Sequence, residues 1–290
     1  MTKKHDRDGS AKDTHYAKLR RAHRDAKRTR GELTAMPEKR GRKGPAGPLP
    51  VEDNEVLLYG LHTVRAAIEN PERRLIALKI TQNAHARLTD GLELPESLPV
   101  EFVRPKEIDD ILGEDAIHQG VMLKAEALPV RKLDALDESP LLLVLDQVTD
   151  PHNVGAILRS AVAFAAGAVI TTMRHSPAES GVLAKSASGA LEHIPYIQIT
   201  NLAKALEELH AMGFITVGLD SEGPAVLEES LSGQKIALVL GAEGKGLRQK
   251  TRETVTTLAR LDMPGEIKSL NVSNASAISL YAARQFLARS

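Results

Sequence analysis

Leu141–Thr172 reads LLLVLDQVTDPHNVGAILRSAVAFAAGAVITT, and the order of its patterns decides the fold. Leu141–Leu145 is an unbroken apolar run, as a strand buried on both faces requires. Val154, Ile157, Leu158, Ala161, Val162 and Ala165 then recur at helical spacing. A helix is therefore expected over Val154–Ala166, with Gly167 as its cap, and Ala168–Thr172 as the next strand. Together they make one βαβ unit with parallel strands and a right-handed crossover.

The same alternation continues on both sides. Asn201 can N-cap a helix over Leu202–Met212, Gly213 ends it, and Phe214–Leu219 is a strand. Ile236–Leu240 is another buried strand, followed by the glycine-rich turn Gly241–Gly246. Leu258–Asp262 is a short strand, and 274–288 form a last helix. Residues 140–290 thus read as one α/β unit. Residues 54–128 read as a smaller α/β domain, with strands at Val56–Tyr59, Leu75–Ile80, Val100–Val103 and Val121–Ala125. Its helices are Leu61–Glu69 and Lys106–Leu112. Pro129, Pro140 and alternating charges mark 129–139 as a linker.

Residues 1–53 differ in kind, with almost no large apolar side chains, and are expected to be disordered. The first 50 residues carry 15 Lys and Arg against 6 Asp and Glu, a net of +9. Of the chain's 38 basic and 38 acidic residues this leaves 23 and 32, a net of −9 for the rest. A basic arm on an acidic body suits a polyanion such as RNA; a solubilising tail is the other reading.

Composition narrows the chemistry. The chain has no Cys, which excludes disulfides, thiolate metal sites and a cysteine nucleophile. With no Trp and only four Phe and four Tyr, RNA recognition by stacked aromatic rings is disfavoured. No apolar run is long enough to cross a membrane, and the charged N-terminus is no secretory signal, so a cytoplasmic protein is expected. His118, His152 and His193 lack metal-ligand spacing and read as structural or solvated; no metal is expected.

Three loops follow strand ends in the second unit, where ligands of open parallel sheets bind. The first, Asp146–Gly155, enters the helix that carries Asn153 and, six residues on within its first two turns, Arg159. Asn153 is either a plain N-cap or a site residue, and Arg159 either faces a cleft or is an ordinary surface arginine. The second, Leu240–Leu247 (LGAEGKGL), allows close backbone approach to a ligand, but it is neither a P-loop nor a G-x-G-x-x-G turn. The third, Leu261–Asn274, clusters short polar residues before a helix that Ser273 or Asn274 can cap.

In this order, N-x-G-x-x-x-R (Asn153, Gly155, Arg159), LVLGAEGKGL (Leu238–Leu247) and M-P-G-x-x-x-S-L-N-V-S (Met263–Ser273) resemble the SpoU (TrmH-like) branch of the SPOUT RNA methyltransferases. Leu58–Val64 and His118–Val121 are similar to the L30e-like RNA-binding domain that precedes the catalytic domain in ribosomal-RNA 2′-O-methyltransferases of this branch. Leu261-Asp262 stands where an Ile-Pro is common, and Pro264 follows Met263 directly.

The resemblance implies a parallel-sheet domain tied in a trefoil knot, an exception to the rule against knots. It implies a homodimer and a reaction, methyl transfer from S-adenosylmethionine to a ribose 2′-hydroxyl of RNA. It further implies a polar active-site set of Asn153, Arg159, Glu243, Ser269 and Asn271, with Glu243 orienting Arg159 or Asn153. The cofactor would lie against Gly218, Leu240, Gly241, Leu261, Met263 and Leu270. Because an L30e-like domain is present, a guanosine of large-subunit ribosomal RNA is the expected target. The alternatives are a transfer RNA, a noncatalytic ribosome-assembly factor, and a nucleotide-binding enzyme using Gly241–Gly246.

Overall fold

The structure, a computed structural model, describes residues 54–133, 136 and 139–289. The basic segment 1–53 and part of the 129–139 stretch lie outside the described residues.

Four strands form the first sheet: β1 (Glu55–Tyr59), β2 (Leu75–Ile80), β3 (Val100–Phe102) and β4 (Val121–Glu126), in the order β1-β4-β2-β3. β4 is antiparallel to β1 and β2, and β3 is parallel to β2. The helices are α1 (Leu61–Glu69), α2 (Gln82–Leu88) and α3 (Pro105–Leu112). α2 has no counterpart in the sequence reading, since it buries only Ala84 and Leu88, too short a stripe to show periodicity. Thr81 starts it by accepting a hydrogen bond from the Ala84 amide.

Seven parallel strands form the second sheet, in the order β7-β6-β5-β10-β8-β11-β9. They are β5 (Leu141–Asp146), β6 (Val169–Thr172), β7 (Tyr196–Ile199), β8 (Ile215–Leu219), β9 (Ala225–Val226), β10 (Ile236–Gly241) and β11 (Thr257–Arg260). Helices α4 (Pro151–Ala163), α5 (Gly181–Ala187), α6 (Leu202–Ala211), α7 (Leu227–Ser230), α8 (Gln249–Thr254) and α9 (Val272–Leu287) connect or cover them. Every residue of β5 is buried: Leu141, Leu143 and Leu145 join one hydrophobic cluster, and Leu142 and Val144 the other. The apolar run therefore reflects a central strand with both faces covered.

Several boundaries differ from expectation. α4 begins at Pro151 rather than Val154, because Asp150 is the N-cap and accepts from the His152 amide at 3.0 Å. It ends at Ala163, and Ala165, not Gly167, takes the left-handed turn at φ 53°. The Gly167 amide already pairs with the Leu141 carbonyl. β11 stops at Arg260, so Leu261 and Asp262 belong to the following loop. Asn271, not Ser273 or Asn274, caps α9.

The two sheets sit against one another through α5 and its flanks. A Cβ on Gly181 would fall 2.3 Å from the Leu57 carbonyl oxygen, so the start of α5 lies directly on β1. Thr63 Oγ1 donates to the Ala184 carbonyl at 3.2 Å. Buried Arg73 donates to Glu179 at 2.5 Å and to Glu192 at 2.6 Å, and also to the Glu126 carbonyl at 2.8 Å. Glu179 and Glu192 also accept from the Leu128 amide and Asn70 Nδ2, at 2.9 and 2.8 Å. Burial works against the Arg73 charge, but hydrogen bonds and the charges of Glu192 and Glu179 outweigh it and raise the guanidinium pKa. Gln119 makes a second tie: its Oε1 accepts from the Leu61 amide, capping α1, and from Lys185 Nζ of α5 at 2.9 Å. Burial lowers the Lys185 pKa.

Candidate active site

The chain after β5 runs outward to β6, whereas β10 continues to β11 on the other side of β8. Connections diverge between β5 and β10, and a crevice opens at such a point over the carboxyl ends of the strands. The register pairs Asp146 with Gly241, so the loops that follow them start side by side.

Asp146 is fully buried and anchors the second loop. Its carboxylate accepts from the Arg248 amide at 3.0 Å, Arg248 Nε at 2.6 Å and Thr251 Oγ1 at 2.7 Å. Between these fixed ends, residues 242–246 double back, with the Gly246 amide donating to the Ala242 carbonyl at 2.8 Å. Gly241 has no room for a side chain: a Cβ there would lie 2.1 Å from the Gly246 carbonyl carbon. Gly244 and Gly246 adopt φ 77° and 65°, which glycine tolerates without strain. Leu247 then plugs into the core beside Gly218, whose missing Cβ leaves space for Leu247, Leu258 and Val255.

The third loop joins the first directly. Asn271 Nδ2 donates to Asn153 Oδ1 at 3.0 Å, while Asn271 Oδ1 accepts from the Ser273 amide and hydroxyl. Because Asp150 has taken the capping role, the Asn153 side chain is left to meet Asn271. Gly155 serves packing instead: a Cβ would fall 2.4 Å from Ser186 Cβ on α5.

The remaining expected residues are placed as follows. Leu240 is buried in β10; Leu261 and Met263 are half-buried; Ser269 and Leu270 are exposed. Arg159 falls in the third turn of α4, not the first two, and is exposed on a groove between α4 and α1. Glu243 is exposed at the turn tip, and no hydrogen bond or ion pair joins it to Arg159 or Asn153 among the described residues. Sequence reasoning gave no role to Asp146 or Arg248; the available signal was a carboxylate closing an otherwise wholly apolar strand.

Residues 140–281 match the SpoU rRNA Methylase family, and residues 57–130 match the family described as RNA 2′-O ribose methyltransferase substrate binding. A 23S rRNA (guanosine-2′-O-)-methyltransferase RlmB of Ralstonia nicotianae is 42% identical over 235 residues, covering 78% of this chain and 94% of that protein. The chain belongs to the SpoU methyltransferase family. A second SpoU relative, the RlmB of Vibrio vulnificus, is 37% identical over 241 residues, covering 80% of this chain and 97% of its own length. Among solved structures, the AdoMet-bound rRNA methyltransferase from Sinorhizobium meliloti superposes with TM-score 0.66 at 25% identity, over 81% of this chain and 88% of that one. The SpoU methyltransferase AviRb from Streptomyces viridochromogenes, with AdoMet, gives TM-score 0.69 at 22% identity, over 80% and 90%; this likeness concerns the fold.

The SpoU assignment bears on what the third loop can hold. Residues 261–270 make no backbone–backbone hydrogen bond among the described residues. Apart from the Met263 carbonyl, which accepts from Lys268 Nζ at 2.6 Å, and Pro264, which has no amide, the backbone groups of this stretch are a donor and acceptor set for a ligand held mainly through the main chain. S-adenosylmethionine, a polar and zwitterionic nucleoside, fits that chemistry. Among the described residues no group of His, Asp and Glu is placed to hold a metal ion, and no helix is long and apolar enough to cross a membrane.

Proposed function

We propose that this chain transfers a methyl group from S-adenosylmethionine to the 2′-hydroxyl of a guanosine in 23S ribosomal RNA. The observation that carries the reading is the Asn153–Asn271 bridge, which joins two of the family's motif loops over the crevice between β5 and β10. The RlmB relatives, similar over nearly their whole length and named for that reaction, supply the substrate.

When bound, S-adenosylmethionine supplies an activated methyl on a sulfonium whose leaving group is neutral and needs no acid. Gly241, Leu261 and Leu270 hold it through backbone groups, with Gly218, Leu240 and Met263 around them. What remains for the protein is in-line alignment and help with the hydroxyl proton. Alignment alone can lower a barrier by ~7–11 kcal/mol. The Asn153 amide, oriented by Asn271, holds the ribose, with Ser269 beside it. Arg159 binds the RNA phosphate next to the target ribose, and the 2′-hydroxyl proton leaves to solvent as the O–CH3 bond forms and the sulfonium C–S bond breaks.

A homodimer, as the family implies, belongs to the same reading. Exposed Ile278 and Tyr281 on α9 are the face expected to pair. The trefoil knot implied by the family is consistent with α9 packing on α4, β5 and β10. The division into a tail (1–53), an RNA-binding domain (54–128), a linker (129–139) and a methyltransferase domain (140–290) belongs to the same proposal.

The test is methyl transfer from labelled S-adenosylmethionine to unmodified 23S rRNA, followed by alkaline hydrolysis. Label in an alkali-resistant dinucleotide, lost in Arg159→Ala, is the expected result. Label on transfer RNA alone overturns the substrate, and S-adenosylmethionine binding without transfer to either RNA overturns the enzyme reading.

A further inference from the structure

An open groove of about 400 Å³ runs between α1 of the substrate-binding part and α4 of the methyltransferase part. His62 and Arg65 line it from α1, Arg159 from α4, and Ser188 and His193 from the segment that follows α5. No Phe or Tyr contributes, and its floor is built of small residues such as Ala163 and Ala187. Gly189 holds the groove's shape: it sits at φ 93°, and a Cβ there would lie 2.9 Å from the Ala66 methyl group of α1.

The electrostatics of this groove are one-sided. Its one carboxylate, Glu69, is already paired with Arg65 at 3.0 Å. Arg65 is fixed by two further bonds, to the Asp90 and Gly91 carbonyls. The side chains of His62, His193 and Arg159 have no partner among the described residues. Three unengaged donors from three separate elements converge here, on a body that carries a net charge of −9 outside the first 50 residues. A guanidinium fork with imidazole N–H donors is a recognition set for phosphate.

We infer that this groove binds the sugar-phosphate backbone of a single-stranded RNA segment next to the target nucleotide, through Arg159, His62 and His193. This rests on the proposed reaction and extends it, since the groove would make the substrate-binding part a direct neighbour of the reacting strand. The volume suits about one nucleotide rather than a duplex. The absence of aromatic rings points to backbone contacts rather than stacked bases. Arg159 lies six residues beyond Asn153, ~9 Å along the helix axis. A strand with its ribose at Asn153 can therefore set a neighbouring phosphate at Arg159.

The experiment uses the full chain, a 23S rRNA transcript and four variants: His62→Glu, His193→Glu, His62→Gln and His193→Gln. RNA affinity and the KM for RNA are measured beside S-adenosylmethionine affinity. The carboxylate variants are expected to weaken RNA binding and raise KM by ~10-fold or more, and the Gln variants, which keep a donor, by less than ~3-fold. S-adenosylmethionine affinity stays at the wild-type value throughout. Wild-type RNA affinity in both Glu variants overturns the inference. Loss of cofactor affinity along with RNA affinity does so too, because exposed His62 and His193 would then act through the fold. Wild-type protein that binds the transcript in the groove but transfers no methyl group counts against the proposed reaction and leaves the groove intact.

Discussion

Asn271 and Asn153, 118 residues apart, share one hydrogen bond of 3.0 Å, and the same Asn271 side chain caps the final helix. A single amide thus ties helix α9 to the start of α4 and sets the orientation of the Asn153 side chain. Asn271→Ala is expected to cost ~1–3.5 kcal/mol, the sum of a lost cap and a lost bridge. Asn153→Ala loses the bridge alone and costs ~0.5–1.5 kcal/mol. Urea unfolding of the two single variants and the double variant gives the coupling energy; strict additivity would show that the bridge contributes nothing.

Asp146 is the anchor beneath the glycine-rich loop, and its substitution is expected to weaken any cofactor held by that loop. In Asp146→Asn the amide cannot accept from both the Arg248 amide and side chain as well as Thr251. The loss of charge-assisted bonds is ~1–3 kcal/mol, shared between stability and loop geometry. Calorimetric titration with S-adenosylmethionine is expected to show a weakened Kd at unchanged stoichiometry. An unaltered Kd would separate this anchor from the cofactor loop.

The two loop glycines make opposite demands. At Gly241 any Cβ runs into the Gly246 backbone, so Gly241→Ala must open the turn. Gly244 has open space around it and only its positive φ to pay for, ~1–2 kcal/mol for an L-residue. S-adenosylmethionine affinity is expected to fall by ~10-fold or more in Gly241→Ala, against less than ~3-fold in Gly244→Ala. Equal losses would mean that the turn's flexibility, rather than its close backbone approach, matters to the ligand.

Arg73→Ala leaves Glu179 and Glu192 facing each other's neighbourhood without a cation. Breaking a buried pair in this way costs ~3–5 kcal/mol. The Leu128 amide and Asn70 Nδ2 still donate to Glu179 and Glu192, but neither brings a positive charge. Denaturant midpoints of Arg73→Ala and wild type check this; a deficit below ~1 kcal/mol would mean that the pair contributes little to stability.

Much of the architecture was legible in the chain itself. β5 and β10 announced themselves because a strand covered on both faces must be apolar at every position. Tyr196–Ile199 and Gly181–Ala187 did not, since β7 sits at the sheet edge with mixed burial and α5 is built of small residues that pack closely without a strong stripe. Cap positions were misread for one reason. Local sequence offers several capping side chains in a row, and tertiary contacts choose among them: Asp150 caps α4 and leaves Asn153 to meet Asn271. The motif polar residues could be named from resemblance. That Asp146 supports the glycine loop, or that Glu243 stands apart from Arg159, depends on chain crossings that spacing alone does not carry.

The pairing of Asp146 with Gly241 has a consequence for how such a chain can diverge. Both residues close their strands at the same level, so the crevice is defined by where two ladders stop. One residue inserted within either strand would shift its loop by ~3.3 Å and reverse which side chains face each layer. Length changes at the opposite rim, around Gly213 or Gly233, leave that level untouched. The sheet acts as a ruler read from one end only, and insertions over evolutionary time should accumulate at the other.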